Sequence, residues 1–255
     1  MNAVWLIARN TYREATRDRV LLGMTIAGVV AMLGTQILQP LALGQGDRLT
    51  VDLGLTIISM LGLLAVLMVG TSLVAKEIER RTIFNLLSRP LPRPLYLVGK
   101  WAGLSAALWT VSGLLGLALC ALLTVKGLGA RTPAVLEAVY LAGLELSVVT
   151  AIAVMCSALS TPVLSALYTL GFYCVGQWSG DLRQFATGAP GALGTLLRVI
   201  ADLVPNLPVF NMRTLAAGGF TTAPLHLGLA SGYAVLYIGC VLALAAAAFE
   251  SRDFK

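Results

Sequence analysis

The chain has 255 residues, of which 58% are hydrophobic and only 12% charged, with a net charge of +6 at pH 7. A soluble domain carries about 25% charged residues to face water, so this composition excludes a water-soluble globule and makes lipid the solvent for most of the chain. No basic patch with interleaved aromatics accompanies the positive charge. The excess Lys and Arg therefore points to anchoring at an anionic membrane face rather than to nucleic acid.

The first eighteen residues predict an interfacial helix, within 1–19. At helical spacing Arg9, Arg13 and Arg17 form one stripe, while Val4, Trp5, Ala8, Tyr12 and Ala15 gather on another. A basic stripe opposite an aromatic-bearing face suits a helix lying in the headgroup plane.

A spanning helix needs about 20 mostly apolar residues. Five runs free of Asp, Glu, Lys and Arg qualify: Val20–Leu38, Leu53–Ala75, Trp101–Val125, Pro162–Gly180 and Leu225–Phe249. A sixth, Ala134–Leu159, carries Glu137 near its start and Glu145 inside. The first run follows four arginines like a signal peptide, but Gln36, Gln39 and Pro40 follow it in place of a small-residue cleavage site. Ser160-Thr161-Pro162 is a tight turn that makes its two flanking helices antiparallel neighbours.

The 18 Lys and Arg residues divide unevenly between the two sides. The N-terminus, segment 76–100 and the C-terminal tail carry most of them, and the opposite connections hold Arg48, Lys126, Arg131, Arg183, Arg198 and Arg213. By the positive-inside rule the richer side is cytoplasmic. An even helix count then places both termini there.

The longest external segment, 181–224, is not a plain linker. Leu193–Val204 is helix-like, with Arg198 and Asp202 spaced to pair, and Pro205-Asn206-Leu207-Pro208 breaks it. Such material either rests on the membrane or dips back into it where protein satisfies its backbone.

The groups that catalysis or nucleotide binding would need are missing. A single histidine, His226, excludes His-Glu-x-x-His zinc chemistry, and there is neither a Gly-x-Ser-x-Gly turn nor a phosphate-binding glycine loop. We therefore expect no catalytic residue, no metal site and no cofactor on this chain. Cys120, Cys156, Cys174 and Cys240 all lie in apolar runs without metal or disulfide spacing, and are read as small buried packing residues. The Gly99/Gly103 and Gly228/Gly232 pairs carry little weight among 26 glycines. Glu145 is the one acid well inside a span. It is either a substrate-path or proton-relay group, or a buried carboxyl bonded to Ser147 or Thr150.

The most informative stretch is Lys76–Lys100, KEIERRTIFNLLSRPLPRPLYLVGK. Glu77 and Arg81 stand in the favourable i,i+4 order for a short helix. Apolar Ile78, Ile83, Leu86 and Leu87 sit beside dense charge, and the Ser88–Pro94 run is expected to be extended. A small amphipathic helix followed by a stiff strap suits docking on another protein.

This stretch resembles the cytoplasmic loop of ABC-2 type permeases, the membrane subunits of one class of ATP-binding-cassette exporters. The resemblance lies in Glu77-Ile78-Glu79-Arg80-Arg81-Thr82-Ile83, in Leu86-Leu87-Ser88-Arg89-Pro90 and in Gly99-Lys100. Weaker echoes are the leader around Ile7–Thr11, Pro205-Asn206-Leu207-Pro208-Val209-Phe210 before the last span, and Arg252-Asp253-Phe254. The resemblance implies one all-α transmembrane permease domain over 1–255 of the type V exporter kind. It would have six spans, an N-terminal interfacial helix, a cytoplasmic coupling helix and short external helices between spans five and six. It further implies a homodimer working with two separate ATPase subunits, which would hold the ATP and Mg, in a bacterial cytoplasmic membrane. By position, Glu77–Ser88 would be the coupling helix on the ATPase, with Pro90 beside it. Glu145, Pro205, Asn206 and Phe210 form the candidate substrate path. Two other readings stand beside it: a proton-coupled secondary transporter using Glu145, and a membrane scaffold that recruits an ATPase.

Overall fold

The computed structural model describes residues 3–39, 44–71, 93–188 and 192–250, and every element among them is helical. Helix α1 covers Ala3–Arg17, and Asp18 then separates it from α2, Arg19–Leu38, by accepting a hydrogen bond from Val20 N at 2.8 Å. Helix α3 runs Gly46–Ala65 and ends in a π-helical turn, Val66–Gly70. Next come α4, Arg93–Val125, and α5, Thr132–Leu159, joined through a 3-10 turn at Gly129–Arg131. Helix α6 is Pro162–Gln177, followed by the shorter α7, Ser179–Gly188, and α8, Ala192–Leu203. A 3-10 turn at Leu207–Phe210 and α9, Arg213–Ala217, lead to α10, Pro224–Glu250.

Five of these helices are long and apolar enough to cross a membrane: α2, α3 with its π turn, α4, α5 and α10. The remaining predicted span, Pro162–Gly180, is a shorter helix of 16 residues, about 24 Å at 1.5 Å per residue. It stops because the backbone leaves helical geometry at Trp178 (φ −97°, ψ 9°), and Ser179 opens a new helix. The tight turn before it holds as expected: Ser160 is extended and Pro162 begins α6.

Two boundaries move. Helix α3 starts at Gly46 rather than Leu53, because its first turns carry Asp47, Arg48 and Asp52 and so fall outside a charge-free run. Helix α4 starts at Arg93 rather than Trp101, so Arg93 and Pro94 are helical and not extended. Pro94 stands in the first turn, where its missing N–H leaves no intrahelical bond unmade. At 33 residues, about 50 Å, α4 is longer than the roughly 30 Å hydrocarbon layer.

The inter-helix contacts give each helix a direction. Gly28 of α2 faces Leu61 of α3 and Leu115 of α4, Gly54 of α3 faces Leu119, and Gly70 faces Leu104, so α3 runs against α4. Gly116 meets Val139 and Trp109 meets Gly143, so α4 runs against α5. Glu145 pairs with Gln177, across an antiparallel α5 and α6. Helices α5 and α10 are parallel: Tyr140 pairs with Ser231 at 2.8 Å, and Val154 and Ala158 cluster with Ala245. Helix α5 is the centre of the bundle, with 83% of its apolar window buried against 22% for α2.

Helix α1 lies against the start of α4. A Cβ at Gly99 would meet Ile7 Cγ2 at 2.8 Å, and one at Gly103 would strike the carbonyl oxygen of Ala8. The Gly99/Gly103 pair is therefore a true close-contact face, against the sequence expectation, whereas Gly228 and Gly232 touch nothing within 4 Å. Arg9, Arg13 and Arg17 are exposed along α1, as are Trp5 and Leu6. Cys120 and Cys156 are buried as expected, but Cys174 and Cys240 are exposed.

Candidate transport path

Helix α6 turns an unusual face to the protein. Its buried residues are Ser165, Thr169, Tyr173 and Gly176, while Val163, Leu164 and Leu167 point outward. This is the inverse of a soluble helix, and it fits an element whose outside is lipid and whose inside is polar.

That polar face meets Glu145, which is 3% exposed near the middle of α5. Glu145 Oε1 accepts a hydrogen bond from Gln177 Nε2 at 2.6 Å. Tyr173, one turn before Gln177, and Arg213, the first residue of α9, are its other polar neighbours. A buried carboxyl is thus shared between α5, α6 and α9. The helix neighbours Ser147 and Thr150 are not its partners: Ser147 Oγ donates to Gly143 O at 2.8 Å, and Thr150 Oγ1 donates to Leu146 O at 2.6 Å. Ser147 also ties α4 to α5 by accepting from Trp109 Nε1, while its carbonyl accepts from Trp101 Nε1, both at 3.0 Å.

Pro205, Asn206 and Phe210 come together above the end of α6. Asn206 N donates to the Tyr233 hydroxyl at 2.8 Å, and Asn206 Oδ1 accepts from Ser179 Oγ at 3.1 Å. A Cβ at Gly176 would meet the Pro205 carbonyl at 3.0 Å, so the proline-asparagine turn sits directly on α6. Phe210 is buried, with its ring 6.1 Å from that of Tyr233. His226 Nε2 shares a hydrogen bond with Val209 O at 3.0 Å, and Tyr237 donates to Leu203 O at 3.2 Å. The turn is a packed plug whose Asn206, Leu207 and Asn211 N–H groups all bond within the protein. Glu145 and the plug converge on Gly176 and Gln177.

The neighbouring elements are tied by similar bonds. Glu137 Oε2 accepts from Thr222 N at 2.6 Å, and Arg131 Nη1 donates to Ala217 O at 3.3 Å. Asp202 pairs with Arg183 at 3.3 Å rather than with Arg198, because α7 and α8 pack side by side and bring Arg183 across.

At the opposite end of the bundle, Ser157 Oγ of α5 donates to Thr71 O at 2.8 Å, immediately after the π turn of α3. A π turn shifts the backbone bonding register and so leaves carbonyls open to partners from outside the helix. The predicted coupling residues Glu77, Ile78, Glu79, Arg80, Arg81, Thr82, Ile83, Leu86, Leu87, Ser88 and Pro90 lie outside the described residues.

Glu145, Pro205, Asn206 and Phe210, singled out in the sequence, lie near Gly176 and Gln177, and their partners Gln177, Tyr173, Arg213 and Tyr233 were not singled out there. A search for polar periodicity would have found Gln177 and Tyr173, since Ser165, Thr169, Tyr173 and Gln177 recur at helical spacing in an apolar run.

These features define a multi-pass helical membrane protein with a polar seam through its centre. The family model described as "ABC-2 family transporter protein" matches residues 5–254, and the chain belongs to that family. It is thus a membrane permease subunit of an ABC transporter system, a class in which ATP hydrolysis resides on a partner ATPase. A comparison with curated proteins finds no match.

Proposed function

We propose that the chain forms the substrate path of an exporter and is driven by a separate ATPase docked on segment 76–100. The family match over 5–254 carries the reading. In this reading six helices cross the bilayer and both termini face the cytoplasm. The parallel arrangement of α5 and α10 supports the count, because the chain must return between them and α6 supplies most of that return. The charge distribution supports the orientation.

The docking segment leaves α3 at Thr71 and enters α4 at Arg93. A push on it reaches α3 and α4 directly, and it reaches α5 through the Ser157–Thr71 bond. Helix α5 carries Glu145, so the force arrives at the polar seam under the proline-asparagine plug. Two copies of the chain, each with an ATPase, would place two such seams beside one another. Glu145, Pro205, Asn206 and Phe210 are the proposed path residues, and Phe210 is buried. Family membership favours ATP over a proton gradient as the driving force.

The test is co-expression with candidate ABC ATPase subunits. The chain should retain the ATPase through purification and raise its hydrolysis rate. Absence of a complex, together with uptake driven by a pH gradient alone, would replace this reading with the proton-coupled one.

A further inference from the structure

Between α1 and α4 lies an open groove of about 490 Å³. Trp5, Ala8 and Tyr12 form its wall on α1, and Ala102, Gly103 and Ala106 form its floor on α4. The floor is empty of side-chain bulk for a definite reason. Helix α1 is drawn onto α4 at Gly99 and Gly103, and the small residues beside that contact leave the space next to it unfilled. The volume is that of a small-ligand site, typically about 300–1,000 Å³.

The mouth of the groove is basic. Arg9 lines it, and Arg13, outside the groove's lining, follows one helical turn later within reach of the same headgroup; both are exposed. Among the described residues no carboxylate lines the groove, and neither arginine is in ion-pair contact with one. Trp5 is 62% exposed at the rim. Tryptophan at such a position marks the headgroup level of a bilayer, and paired guanidinium groups match a phosphate.

We propose that this groove holds one acyl chain of an anionic phospholipid, whose phosphate is bound by Arg9 and Arg13. An anionic lipid fits better than cargo or a second protein copy because the apolar slot and the cationic mouth occur together, on a helix that lies along the membrane surface. The inference rests on the interfacial reading of α1 and not on ATPase docking. The seated lipid would fasten α1 to α4 and so make the start of α4 sensitive to the lipid composition around it.

The test is native mass spectrometry of the full chain released from nanodiscs of equimolar phosphatidylglycerol and phosphatidylethanolamine. One phosphatidylglycerol should remain bound per chain. Retention should fall by tenfold or more in Arg9→Gln/Arg13→Gln, since each lost charge-assisted phosphate contact is on the scale of about tenfold. Filling the floor with Ala102→Leu/Ala106→Leu should abolish it, while Arg183→Gln, far from the groove, should leave it unchanged. Equal retention of phosphatidylethanolamine, or undiminished retention in the arginine variant, would overturn the proposal. If the filled variant fails to fold, the arginine variant decides. ATPase binding plays no part in this readout, so its outcome is separable from that of the permease reading.

Discussion

Gln177 Nε2 stands 2.6 Å from Oε1 of Glu145, joining the last residue of α6 to the buried middle of α5. Neither helix end would be fixed there by apolar packing alone, because α6 buries only Ser165, Thr169, Tyr173 and Gly176. The bond joins the end of α6, which breaks at Trp178, to α5 beside the proline-asparagine plug.

This pair predicts an asymmetric response to substitution. Gln177→Leu removes one hydrogen-bond partner of a buried carboxyl, leaving Tyr173 and Arg213, and should destabilise the fold by about 1–3 kcal/mol. Glu145→Gln keeps an acceptor oxygen for Gln177 and should cost less. Unfolding in mixed micelles, followed by tryptophan fluorescence, measures both. A larger loss in Glu145→Gln would mean that the charge, acting with Arg213, holds the seam instead.

The Ser157–Thr71 bond predicts a local effect. Ser157→Ala should cost about 0.6 kcal/mol, the mean for such bonds between membrane helices, and should speed amide exchange in 66–71 more than elsewhere in α3. Exchange spread evenly over α3 would show that the π turn is held by its own packing.

The proposed six-crossing topology makes a third prediction. In a background with Cys120, Cys156, Cys174 and Cys240 replaced by alanine, an impermeant maleimide applied to intact cells should label cysteine at Gln45 and at Thr187. It should label cysteine at Arg17 only after the membrane is opened. Gln45 lies in the α2–α3 connection and Thr187 at the end of α7, and both are exposed. Protection of Thr187 from outside labelling would mean that α6 does not cross.

The long apolar helices were legible because lipid demands long apolar runs, and the bounds of α5 and α10 fall close to those expected, whereas α6 is shorter than the expected run. The starts of α3 and α4 were not, because helices continue into the headgroup layer, where Asp47, Arg48 and Arg93 are at no disadvantage. Glu145 stood out as the lone acid within a span, yet its partner did not. Gln177 is distant in sequence, and only the antiparallel pairing of α5 and α6 brings it near. The Gly99/Gly103 contact was hidden for another reason: in a chain with 26 glycines, spacing alone does not tell a packed pair from an open one such as Gly228/Gly232.

The central claim is that segment 76–100 transmits ATP hydrolysis to the bundle. Its most direct test is the hydrolysis rate of the partner ATPase in proteoliposomes containing either the natural chain or the Glu79→Arg/Arg81→Glu variant. The account predicts that the variant inserts normally, as judged by labelling at Gln45, and no longer stimulates hydrolysis. Stimulation equal to that of the natural chain would contradict it.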